Sequence, residues 1–64
     1  QEAKQIALAK VSGATERDIR LHLDYDDGWV LYEGKIIYQN IEYDFSIDAY
    51  SGTILEWEAE SVFD

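Results

Sequence analysis

The chain has 64 residues, 47% of them hydrophobic and 14% aromatic, and 14 acidic residues against five basic ones give it a net charge of −9. That length allows one small domain hiding about 60% of the surface its unfolded form exposes, and the aromatic bulk excludes disorder. The negative field excludes nucleic acid and anionic lipid as partners, the absence of cysteine with a single histidine excludes a disulfide framework and an all-protein zinc site, and no apolar run approaches the ~20 residues that span a bilayer.

From Gln1 to Val11 the residues are good helix formers, and Ala3, Ile6, Ala7 and Val11 recur at the three-and-four spacing of one face. That face is expected to lie on the core, its alanines allowing close approach. Leu8 sits at the margin, and Lys10 falls inside the apolar arc, where its methylenes can follow the core edge while the ammonium stays in water. Gly13 supplies a stop. Gln1 enters helical sequence with no Ser, Thr, Asp or Asn before it, and no segment reads as a signal peptide, so residues 1–64 are expected to be one domain excised from a longer protein.

Beyond Thr15 the period changes from helical to alternating. Ile19, Leu21, Leu23 and Tyr25 point one way, and Arg20, His22, Asp24 and Asp26 the other. Asp27-Gly28 suits the positive φ of a tight hairpin, and a second strand follows from Trp29 to Tyr38. Its Val30, Tyr32, Gly34, Ile36 and Tyr38 should meet the helix, with Leu31, Glu33, Lys35 and Ile37 on the far face. Gly34 either leaves room for a close neighbour or marks a bulge. Gln39-Asn40 is a second turn. A third strand from Ile41 turns Tyr43, Phe45 and Ile47 inward, and after the turn Asp48-Ala49-Tyr50-Ser51-Gly52 a fourth strand is expected to turn Leu55, Trp57 and Ala59 inward and Glu56, Glu58 and Glu60 outward. Short turns leave no crossover for a parallel sheet. The expected fold is therefore α+β in two layers, one N-terminal helix packed on a four-stranded antiparallel β-meander.

Few residues invite chemistry. Asp24, Asp26 and Asp27 gather carboxylates at the first hairpin, but without the spacing of a calcium loop they read as a solvated acidic turn. His22 falls on the outward face with no Ser or Cys nucleophile beside it, and the three alternating glutamates of the last strand read as an exposed face. Asp48 should bond backbone N–H groups of its own turn while Gly52 takes a left-handed conformation. A core this small is not expected to enclose a ligand pocket of ~300 Å³. Neither a catalytic residue, a metal ligand nor a cofactor is therefore assigned. Trp57 reads as core. Trp29 at a hairpin start and Tyr50 at a turn tip are the candidate partner contacts, joined by Leu31 and Ile37 on the uncovered sheet face.

The order of these segments resembles the PepSY domain. An Ala-x-x-Ile-Ala-Leu helix (Ala3, Ile6, Ala7, Leu8) ends in Val11-Ser12-Gly13. Asp26-Asp27-Gly28 precedes an aromatic strand holding Tyr32-Glu33, and the run Ile47-Asp48-Ala49-Tyr50-Ser51-Gly52-Thr53-Ile54-Leu55 resembles the family's Val-Asp-Ala-x-Thr-Gly turn and closing strand. Gly34-Lys35 stands where the family usually has a β-branched residue and an acid, and Ser51 replaces the common Thr. The resemblance implies an exported or cell-envelope bacterial parent and a non-enzymatic module that binds a peptidase or a neighbouring domain of its own chain, regulating or inhibiting the peptidase. The alternative is a structural repeat of an envelope protein or lipoprotein with no peptidase link.

Overall fold

The computed structural model describes residues 2–62; Gln1, on which the uncapped helix start rests, lies outside the described residues. Five elements follow one another: α1 (Glu2–Leu8), β1 (Ile19–Asp26), β2 (Trp29–Tyr38), β3 (Ile41–Asp48) and β4 (Ile54–Ser61). Each strand pairs antiparallel with the next, giving one sheet in the order β1-β2-β3-β4.

The helix is shorter than its periodicity suggests. After Ala9 donates to the Gln5 carbonyl at 3.0 Å, Lys10 and Val11 bond only three residues back, to Ala7 and Leu8, so the last turn tightens. Gly13 then takes φ +94° against the Tyr38 hydroxyl, which occupies the place a Cβ would need. The tightened turn still buries Val11 beside Ala3 and Ala7.

The first two of the three hairpins have two-residue loops with positive φ at each position: 55° and 84° at Asp27 and Gly28, 52° and 68° at Gln39 and Asn40. That backbone twist matches the twist of the flanking strands, and it places the two ends of β2 where the sequence expects them. Ile19, Ile36, Phe45 and Ile47 join Ala3, Ala7 and Val11 in the buried core. Gly34 causes no bulge, since its register with β1 and β3 is continuous; it is a place of close approach.

One inward row is corrected. Ile47 faces Ile54, but Ser46 faces Glu56, so Leu55 has no partner and the strand bulges there. Ile54 and Trp57 turn to the core, while Leu55, expected inside, is 43% exposed. Trp57 stacks on Phe45 at 5.3 Å and 24° and meets Tyr43 at 5.8 Å, and the Lys10 ammonium sits 5.7 Å from its ring centre. The lysine thus lies along the core edge with its charge over an aromatic face.

Candidate functional site

The helix covers one sheet face, and the other face carries an open trough. Cross-strand rows line it: Arg20, Lys35, Asp44 and Glu58 form one, and His22, Glu33, Ser46 and Glu56 the next. The resulting open trough has a volume of about 530 Å³. It lies outside the core, across all four strands, and depends on their pairing, which residue alternation does not reveal. Its β1–β2 side carries Arg20, His22 and Lys35 and its β3–β4 side mostly carboxylates, so charge is divided across it.

The trough brings His22, Glu33 and Ser46 into one row, in an order that keeps His22 from reaching the hydroxyl. Glu33 stands between the other two; His22 Nε2 lies 3.9 Å from Glu33 Oε1, with the imidazole exposed and the carboxylate half-buried. Strand spacing puts Ser46 about 10 Å from His22, and the Ser46 hydroxyl donates instead to Glu56 at 3.4 Å. A serine nucleophile needs its base within hydrogen-bond reach.

Carboxylates converge elsewhere than at the first hairpin. Among the described residues, the acidic group whose oxygens lie within 4.8 Å of one another is Glu42, Asp44 and Glu60, with Asp24, Asp26 and Asp27 remaining apart. Lys35 Nζ reaches Glu42 at 3.5 Å. Burial, a hydrogen bond with Glu42 and the charges of Glu42 and Glu60 raise the Asp44 carboxyl above its ordinary value, with Lys35 opposing. This trio depends on the pairing of β3 with β4.

Of the four contact candidates, three lie at one end. The loop after β3 is clamped to β2, where Ala49 N–H donates to the Val30 carbonyl at 3.0 Å. Asp48 organises the same loop, accepting from Tyr50 N–H at 3.0 Å and from the Ser51 hydroxyl at 2.9 Å, while Gly52 takes φ +78° and donates to the Asp48 carbonyl. The clamp sets Tyr50, 80% exposed, and Trp29, 54% exposed, around one shallow cavity of about 260 Å³ with Asp27, Gly28 and Asp48. Leu31, opposite Asp48, adjoins it on the outer face. Ile37 lies roughly 20 Å along the same strand, beside Arg17, Asp18, Arg20 and Lys35, and does not belong to that cluster.

No helix among the described residues is long and apolar enough to cross a membrane. A family model described as "Peptidase propeptide and YPEB domain" (PepSY) matches residues 1–58. No curated protein and no solved structure matches the chain significantly.

Proposed function

The chain belongs to the PepSY family, and we propose from this that it is a non-catalytic domain of an exported or cell-envelope protein that docks on a peptidase and restrains it. The observation that carries the reading is the exposed aromatic pair at one end of the sheet. Trp29 and Tyr50 come from different turns, line a single cavity, and leave most of their rings in water. Large amphipathic rings held on a rigid loop are the side chains that anchor protein interfaces at low entropic cost. Two aspartates in the lining, Asp27 and Asp48, favour a partner surface that carries basic groups at its rim. The separated His22 and Ser46 and the open, charged trough support a role without covalent chemistry.

The test is inhibition of secreted metallopeptidases of the source organism by the unmodified chain and by a Trp29→Ala/Tyr50→Ala variant. The expected result is inhibition that the double variant loses by at least about tenfold, with an unchanged melting temperature. Equal inhibition by both overturns the contact assignment. No inhibition by the unmodified chain overturns the peptidase reading and leaves a structural domain of an envelope protein.

A further inference from the structure

Among the described residues the sheet is open at both sides, with β1 and β4 at its edges, and an edge strand presents unpaired N–H and C=O groups to any strand that can reach it. The hairpin geometry fixes which groups these are on β1. A two-residue loop makes Asp26 and Trp29 the hydrogen-bonded pair beside the turn, so Asp24, His22 and Arg20 also bond toward β2. Tyr25, Leu23 and Leu21 then direct their backbone groups away from the sheet. Two contacts agree with this alternation: the Arg20 carbonyl points at Gly34 of β2, and the Ile19 carbonyl is met by the Arg20 guanidinium at 3.4 Å. The residues with outward backbone groups also carry apolar side chains on the helix side of the sheet, where Tyr25 is 70% exposed and Leu23 is 43% exposed.

We propose that β1 pairs with β1 of a second copy of this chain, antiparallel about a two-fold axis at Leu23, so that the two sheets become one. The charge pattern of the strand selects this occupant and this register. Leu23 meets Leu23 of the second copy and Leu21 meets Tyr25 on the helix side. On the outer face Arg20 meets Asp26 and His22 meets Asp24. Each of these pairs occurs twice by symmetry. Sliding the strands by one pairing step keeps the hydrogen-bond alternation but sets His22 against itself in one direction and Asp24 against itself in the other, and in both it breaks the Arg20–Asp26 pair. The other edge is built against such pairing: Glu56, Glu58 and Glu60 share one face of β4, so any antiparallel self-pairing there opposes glutamate to glutamate, and the bulge at Leu55 interrupts the ladder.

Sedimentation equilibrium of the chain from about 10 μM to about 1 mM is expected to show a monomer–dimer equilibrium. The amides of Leu21, Leu23 and Tyr25 should gain protection from hydrogen exchange as the dimer fills. Arg20→Asp alone and Asp26→Arg alone should each weaken association about tenfold by opposing like charges at two places, and the two together should restore it to within about threefold of the unmodified chain. Within one chain Arg20 faces Lys35 and Asp26 faces Trp29, so a purely intramolecular effect of one substitution would not be reversed by the other. Thermal melts of each variant establish that it is folded. A chain that stays monomeric over the whole range, or a double variant as weak as the single ones, overturns the pairing; a monomer leaves the β1 edge to a strand of another protein.

Discussion

Gly34 and Phe45 face each other across β2 and β3, and the phenyl ring fills the space a side chain at position 34 would take. A Cβ there would lie 2.5 Å from Phe45 Cζ and 2.8 Å from both Leu21 Cδ1 and the Arg20 carbonyl oxygen. Phe45 in turn stacks on Trp57, so the glycine lets an aromatic layer cross the sheet toward β1. Gly34→Ala should lower stability by roughly 2 kcal/mol, because one of the three obstructions is backbone and cannot move aside. Urea denaturation checks this, and an unchanged midpoint would refute the close-approach role.

The turn after β3 should be similarly sensitive. Gly52→Val forces a β-branched residue into φ +78° and sets its Cβ 3.1 Å from Ile6 Cδ1, a cost of roughly 1–2 kcal/mol. Asp48→Ala removes the acceptor for Tyr50 N–H and the Ser51 hydroxyl and should cost about 1 kcal/mol. Melting curves of the two variants decide; a loss confined to Gly52→Val would mean that the Asp48 bonds contribute nothing.

Trp57→Ala should destabilise the domain by roughly 2–3 kcal/mol, since the indole stacks on Phe45, meets Tyr43 and is only half-buried. Lys10→Ala should cost about 0.5 kcal/mol through the lost cation–π contact. In the Trp57→Ala background the Lys10 substitution should become nearly neutral. Additive losses in a double-mutant cycle would show that the ammonium gains nothing from the ring.

Acidification should first stabilise this protein. The folded state holds the Asp44 proton more tightly than the unfolded chain, owing to burial and then to Glu42 and Glu60. The resulting contribution is fully present below the unfolded-state value and is lost as pH rises through the raised folded-state value. The melting temperature is therefore expected to rise as pH falls from neutrality toward the ordinary aspartate range, and Asp44→Asn should flatten that rise. Calorimetry over this range checks both, and a melting temperature that falls on mild acidification contradicts them.

The strands were legible because one physical signal, alternation broken by dipeptides suited to positive φ, is local. Asp27-Gly28 and Gln39-Asn40 mark both ends of β2 without reference to the rest of the chain. Leu55 was not legible for the converse reason. Ile54 and Leu55 are both apolar, so alternation can be phased through either, and the choice falls to the partner strand and the Asp48 turn. The helix ends before its apolar period does, and Gly13, which closes the tightened turn, lies against Tyr38, a residue distant in sequence. Likewise the gathering of Glu42, Asp44 and Glu60 requires the β3–β4 register, and the meeting of Trp29 with Tyr50 around one cavity requires the Ala49–Val30 hydrogen bond. Sequence placed both aromatics at turns; the clamp between turn and strand is what makes them neighbours.

The meander order has a kinetic consequence. Every strand pairs with the one beside it in the chain, and two of the three connections close over two residues, so little loop entropy opposes the search for each partner. The sequence holds no proline, which removes the slow isomerisation that delays many refolding reactions. Stopped-flow refolding should accordingly finish in a single phase on the millisecond scale or faster. An unfolded copy would then spend little time with its hydrophobic strands exposed, which helps a small β-rich chain with open sheet edges to reach its fold before it meets another copy.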